Sequence, residues 1–201
     1  RAFLAKAIAA MTAMRSERRL SPAMSMELVH ALEMTGDIAG SLALLEEIRA
    51  GDSRNSALAT YGLSEVYERA QAWQDVYETL REDPAFADPL RPLILLVRLC
   101  RAELNLKLHL NAVATARRAC ELYPDSSLAL GLLVESLIAI GEPEEALFAL
   151  RSARPWRDRS IDLLEAQALH LTARHVEMRE FCKAHLILDP PLPESAQKAY
   201  L

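Results

Sequence analysis

Aromatic residues make up only 5% of this chain, and only six of its 201 residues are glycine. So few glycines leave little material for a backbone cradle around phosphate. The motifs that build one, G-x-x-x-x-G-K-[ST] and G-x-G-x-x-G, do not occur. The metallopeptidase pattern H-E-x-x-H and the nucleophile elbow G-x-S-x-G are missing as well. No apolar run reaches the roughly 18 residues of a membrane span. The greasiest segment, Leu93–Leu99, is interrupted by Arg98 and followed by Arg101. An excess of positive charge is also lacking. The net charge of −5 argues against the electrostatic footprint of a nucleic-acid binder. Cysteine is scarce, three residues without a C-x2-C pair. Cys100, Cys120 and Cys182 therefore read as small buried hydrophobes rather than as a disulfide or a metal site. They lean towards a reducing, cytoplasmic compartment and leave a periplasmic one open. The chain begins at Arg1 without Met and shows no signal peptide, which reads as a segment cut from a longer protein.

Leu and Ala dominate what is present, and β-branched residues are few, which suits helices better than sheets. The clearest stretch runs from Ser127 to Ala153. Leu130, Leu133, Val134, Leu137 and Ile138 recur at three- and four-residue spacing, which lines up one helical face. Gly141 can end that helix in a left-handed cap. Pro143 opens a second helix, where its missing N–H costs nothing. Ala146, Leu147, Leu150 and Ala153 form the second stripe, with small residues that allow close approach. Neither helix can bury its stripe alone, so the pair predicts a helical hairpin that needs neighbours.

This frame recurs along the chain. Leu96, Leu99, Cys100, Ala112, Ala116, Ala119 and Pro124 repeat it from Leu93. Leu63, Ser64, Tyr67, Val76 and Leu80 repeat it from Ala57. Leu28, Val29, Leu32, Gly36, Ser41 and Leu45 do so from Pro22, and Leu164, Ala168 and Leu171 from Ile161. The unit starts at 22, 57, 93, 127 and 161 are 35, 36, 34 and 34 residues apart. With Leu130-x2-Leu133-Val134-x2-Leu137, then Ala146-x3-Leu150, the unit resembles a tetratricopeptide repeat. That family's pattern is W-x2-L-G-x2-Y, A-x3-F and P over about 34 residues. Leu stands here in place of the family's Trp and Tyr. The resemblance implies an all-α, right-handed α-solenoid of about five helical hairpins over residues 22–188. Residues 1–21 would be a partial repeat or capping helix. Residues 189–201 would be a loop and the start of a further helix.

Several segments punctuate this array. Arg15–Arg19 reads as a solvated basic turn. Trp73 sits where the family places an aromatic ring to plug the hairpin. The loop from Asp83-Pro84 to Asp88-Pro89 is the strongest break, and Arg154–Arg159 links the fourth unit to the fifth.

No catalytic, cofactor or metal residues are expected. His170 and His175 are five apart and do not share a helical face, which weighs against the four-ligand convergence of zinc. His30 and Glu33 are helix neighbours without a nucleophile. Glu144 and Glu145 favour a helix N-terminus electrostatically. The resemblance instead implies binding along a concave face built by the first helix of each pair, at the second, fifth, ninth, twelfth and thirteenth positions of each unit. Carried over, these are Met26, His30 and Glu33, then Tyr61, Glu65, Glu68 and Arg69. Ile94, Val97, Arg101, Leu104 and Asn105 follow, then Leu128, Glu135 and Ile138, and finally Glu165 and Leu169. Only Arg101 and Asn105 are similar to the Lys and Asn with which one subfamily grips a C-terminal carboxylate, so that mode is not expected. The expected function is a protein-interaction scaffold taking a peptide or partner helix, with self-association open. Two alternatives are a scaffold of a bacterial secretion or exopolysaccharide-export machine, and a substrate-docking segment for a catalytic domain elsewhere.

Overall fold

The computed structural model describes residues 2–16, 21–51, 53–81, 92–152 and 159–185. Among them every regular element is a helix. In chain order these are α1 (Ala2–Ser16), α2 (Pro22–Thr35), α3 (Ile38–Gly51), α4 (Ser53–Arg69), α5 (Trp73–Arg81) and α6 (Leu93–Asn105). They continue as α7 (His109–Leu122), α8 (Ser127–Ala139), α9 (Pro143–Ser152), α10 (Arg159–Leu171) and α11 (His175–His185). The architecture is an all-α helical-repeat solenoid type. The expected loop at 83–89, the linker at 154–158 and the helix after 194 lie outside the described residues.

Side-chain caps start α2, α3 and α8; at α3 the Asp37 carboxylate accepts from the Gly40 N–H at 2.9 Å. The Ser21 hydroxyl accepts from the Met24 N–H at 3.3 Å, and Pro22 takes the first helical position. Ser126 does the same for Ala129, also at 3.3 Å.

The hairpin turns share one geometry. Gly36, Gln71, Lys107, Gly141 and Ala173 all have positive φ, between 56° and 83°. Each donates its N–H to the carbonyl three residues back, and the next residue donates to the carbonyl five back. At the first turn these are Gly36 to Glu33 and Asp37 to Leu32, both 2.9 Å. At the last they are Ala173 to His170 and Arg174 to Leu169, both 3.0 Å. This double bond satisfies carbonyls that a helix end would leave bare.

The chain divides into two compact units, Arg1–Ala102 and Glu103–Leu201, with the boundary inside α6. In the first unit Leu28, Val29, Leu44, Leu45, Leu63 and Val66 bring α2, α3 and α4 into one cluster, with Ile8 and Met11 of α1 against it. Gly62 lets α3 and α4 approach without displacing Leu45, since a Cβ there would lie 2.8 Å from Leu45 Cδ2 and push that side chain aside. Val76 and Leu80 of α5 pack on Leu95, Leu99 and Ala102 of α6, with Trp73 against them, as its place in the turn predicts. In the second unit Val113, Val134, Leu137, Ala146, Leu147, Leu150, Ile161, Ala168 and Leu169 form one core through α7 to α10. Of the predicted small contacts, Ala112, Ala116 and Ala146 are fully buried, and Ala153 lies outside the described residues. Buried hydroxyls bond back along their own helices: Ser41 to Ile38 O, Ser64 to Tyr61 O, Ser136 to Leu132 O, at 2.8, 2.8 and 2.7 Å. Cys100 is buried, Cys120 and Cys182 are half-buried, and none of the three is in a disulfide. Burial, with Glu121 nearby, pushes the Cys120 thiol up to about 11, which keeps it protonated and unreactive.

The fifth unit departs from the expected register. The left-handed residue falls fourteen positions after 22, 57, 93 and 127, but only twelve after 161. Its first helix starts at Arg159, and the unit frame starts there too. Ile161, Glu165, Ala168 and Leu169 are the buried stripe of α10. Glu165 and Leu169 are thus corrected from groove to core positions. Ser160, Leu163, Gln167, His170 and Leu171 are the exposed ones in the shifted frame.

Two predictions follow from these elements. A non-glycine residue in the left-handed region costs roughly 1–2 kcal/mol, partly offset because glycine loses more entropy on folding. Gln71→Gly or Ala173→Gly is therefore expected to stabilise the fold by about 0.5–1 kcal/mol, and Gly36→Ala to destabilise it by about 1 kcal/mol. Denaturant midpoints read both, and a loss of stability in the glycine variants contradicts the assigned turns. The second concerns Glu103, which is 4% exposed, accepts from Thr115 and has its Oε2 unpartnered. Burial raises its pKa from 4.5 to about 7. Between those values the folded chain holds a proton that the unfolded chain has lost. Its contribution to stability is full below pH 4.5 and is lost as pH rises through about 7. Glu103→Gln should remove that decline in pH-dependent melts.

Candidate interaction face

The expected groove residues of the first unit come from three first helices, α2, α4 and α6. What joins α4 to α6 is Arg98, which interrupts the apolar start of α6 and was not among the expected site residues. Its side chain is 6% exposed. Nε donates to Glu68 Oε2 at 2.9 Å, and one terminal nitrogen donates to Ser64 Oγ at 3.1 Å and to the Tyr61 carbonyl at 3.2 Å. The other lies 3.5 Å from Glu65 Oε2. The guanidinium carbon stands 4.6 Å from the centre of the Tyr61 ring, a cation–π contact. One buried cation thus holds Tyr61, Ser64, Glu65 and Glu68 of α4 against α6.

Further ion pairs extend this arrangement. Arg101 of α6 reaches the second oxygen of Glu68 at 3.3 Å. On the other side, Arg69 of α4 meets Glu33 of α2 at 2.8 Å, and that bond raises the Arg69 pKa. In both cases the earlier helix supplies the carboxylate and the later one the guanidinium. The carboxylates are the more sheltered partners, with Glu33 at 11% and Glu68 at 21% side-chain exposure, against 56% for Arg69 and 48% for Arg101. The face therefore presents guanidinium edges outward.

Apolar surface lies beside them. Tyr61 is partly exposed, and Leu58 and Met34 are exposed at groove positions of their units, although neither was singled out from the sequence. His30 and Glu65 are also reachable. Met26 and Ile94 are half-buried against the α2–α4 and α5–α6 clusters, respectively. Val97 is 1% exposed, so it supports α6 from within and presents nothing to a partner.

In the second unit, Leu104 is half-buried and Asn105 exposed at the end of α6, and Leu128 and Glu135 are exposed on α8. Ile138 is half-buried against the core. The turn at Ala173 brings the His170 and His175 rings to 5.8 Å, closer than helical spacing alone suggests. Among the described residues, no three metal-capable side chains gather, and no helix is long and apolar enough to cross a membrane.

Solved structures share this arrangement of helices. A crystal structure of MamA is similar with a TM-score of 0.70 at 18% identity, over 82% of this chain and 90% of that one. The fold is that of the tetratricopeptide-repeat proteins. YrrB, described as a TPR protein with an unusual peptide-binding site, is similar at a TM-score of 0.61 and 20% identity, over 88% of this chain and 89% of that one. A Podosopora anserina kinesin light chain candidate with nearly identical TPR-like repeats gives 0.60 at 16%, over 87% and 93%. No family model matches the chain, and no curated protein matches it in sequence. The tetratricopeptide frame accounts for the recurrent turns, and Arg98 sits one position after a groove position of the third repeat, turned inward.

The network predicts unequal mutational costs. Removing Glu68 takes the nearest carboxylate from a buried guanidinium and leaves Glu65, at 3.5 Å, as its charge partner, so Glu68→Ala should destabilise the chain by about 3 kcal/mol, the low end for a broken buried pair. Arg69→Ala, at an exposed pair, should cost less than about 1 kcal/mol. Arg98→Met should cost less than Glu68→Ala, because it leaves no buried charge behind. Equal costs for Glu68→Ala and Arg69→Ala in denaturant melts contradict the burial of Arg98.

Proposed function

We propose that this chain is a protein-interaction scaffold that takes a peptide or partner helix across the first-helix face of its N-terminal unit. The observation that carries this reading is the Arg98 network, which holds Tyr61, Glu65, Glu68 and Arg101 before any partner arrives, with Arg69 held beside it by Glu33. Fixed side chains lose little entropy on binding, which favours affinity at a modest surface. An aromatic edge beside outward guanidiniums fits an amphipathic segment with one apolar anchor and a neighbouring carboxylate. Met26, His30 and Ile94 complete the proposed surface in this unit. Leu104, Asn105, Leu128 and Glu135 are proposed as a separate surface on the second unit.

The peptide-binding site named for YrrB supports the class of ligand and not its identity. The scaffold is proposed as non-catalytic, in keeping with the lack of nucleophile or metal motifs in the sequence. Service in a secretion or export machine, or substrate docking for a catalytic domain elsewhere, would use the same face.

The test begins with a pull-down by the isolated chain to identify a partner. Titrations then compare Tyr61→Ala with Arg101→Ala, as a double variant, against Arg49→Ala on the second helix of the first hairpin. The double variant should weaken binding by more than about 2 kcal/mol while the helical circular dichroism is kept. Arg49 pairs within α3, at 2.8 Å from Glu46, and its loss should leave affinity unchanged. Binding that survives the double variant and fails with Arg49→Ala contradicts the assignment.

A further inference from the structure

One position of the repeat carries an apolar or aromatic side chain in every unit but the third. Four residues before each left-handed turn residue stand Leu32, Tyr67, Glu103, Leu137 and Leu169. In each turn the carbonyl of this residue accepts the second of the two turn bonds, from Leu108 at 2.8 Å in the case of Glu103. In the other four repeats the side chain joins an apolar cluster. In the third a carboxyl takes the slot. It is 4% exposed, accepts from Thr115 of α7, and buries Oε2 without a partner. An unpartnered buried oxygen is costly, and far more so when it carries a charge. Nearby charges are committed elsewhere or face water. On α6 itself, Arg98 and Arg101 turn to Glu65 and Glu68 of α4. On α7, Arg117 reaches Glu145, Arg118 and Glu121 are exposed, and His109 buries an unpartnered Nδ1. The charge on α8, Glu135, is exposed, as is Lys107 in the turn. That turn is also a strained one, since Lys107 takes the left-handed conformation, at φ 61°, without the freedom of glycine.

We propose that Glu103 is a pH-sensitive latch on the α6–α7 hairpin, closed while its carboxyl is protonated and released when it ionises. The protonated group is neutral, and the slot holds it. Loss of the proton leaves an anion that only water can satisfy, so the turn end of the hairpin opens to admit water. Burial raises the pKa from 4.5 to about 7, which fixes the direction. The contribution to closure is full below pH 4.5 and is lost as pH rises through about 7. Over that whole interval the open-to-closed ratio rises by up to about 300-fold. Each repeat contacts only its neighbours, so one hairpin opens while distant ones stay folded. The latch is thus a local event, beyond the decline in overall stability. The same turn of α6 carries Leu104 and Asn105. On the reading of these two as part of a second-unit surface, binding there weakens as pH rises.

Amide hydrogen exchange tests the latch without a partner, so its failure and that of the binding reading are separable. The unmodified chain and Glu103→Gln are compared at about pH 5.5 and about pH 8.5, on either side of the release. Every other titratable group, His109 included, is common to both chains, and the intrinsic pH dependence of exchange cancels in their ratio. From the lower to the higher pH, amides at the end of α6 and in the first half of α7 should lose at least about tenfold in protection relative to Glu103→Gln. The same ratio should stay constant for amides of α2 and α3. Glu103→Leu, which restores the residue found in three of the other repeats, should stay closed at both pH values. A ratio at α6 and α7 that does not change with pH, a loss spread evenly over all the helices, or a Glu103→Leu hairpin that still opens at the higher pH overturns the proposal.

Discussion

A guanidinium with 6% of its side chain exposed is the constraint on which the N-terminal unit depends. Removing a charge from water costs several kcal/mol unless hydrogen bonds and an opposite charge replace the lost hydration. Arg98 meets that demand with Glu68, Glu65, a serine hydroxyl, a backbone carbonyl and the face of Tyr61. All five groups belong to α4. The cost of burying the cation therefore ties α6 to α4 in one register, because a slide of either helix would leave several donors bare. Apolar packing alone is more forgiving, since Leu and Val tolerate small shifts that a planar fork of N–H donors does not. The apolar contacts drive the association of the helices, and the arginine selects its geometry.

The hairpin turns supply the complementary constraint. Each reverses the chain through one left-handed residue and two backbone hydrogen bonds, so the second helix leaves every first helix in the same way. Only two of the five use glycine. Gln71, Lys107 and Ala173 accept the strain because the satisfied carbonyls and the helix packing outweigh it.

Much of this was legible in the sequence, for a physical reason. The three- and four-residue spacing of Leu and Ala states which face is buried, and capping residues state where a helix begins. Trp73–Arg81 and His109–Leu122 begin and end where the sequence places them. The fifth unit shows the limit. Its turn lacks a glycine, and the adjacent Leu163 and Leu164 let the apolar stripe be read in two registers. Burial of Ile161, Glu165, Ala168 and Leu169 resolves it. The interaction face was legible as a set of positions and not as a network. Arg98 was missed because a lone arginine in an apolar run signals an interruption. Its partners lie about thirty residues earlier, and only the folded hairpin brings them within reach. Val97 was misplaced for the related reason that a position on a repeat does not fix how far its neighbours cover it.

On the first-helix face the charges hold one another, and the aromatic edge is braced by a buried cation. The N-terminal unit depends most heavily on Arg98 being locked in the folded chain. Solvent exchange of the Arg98 Nε proton, followed by nitrogen–proton NMR of the chain at neutral pH, measures that directly. A resolved resonance whose exchange is slowed by at least about tenfold relative to exposed arginines is the predicted result, because opening must break a buried ion pair. Exchange as fast as that of an exposed arginine such as Arg69 would contradict it.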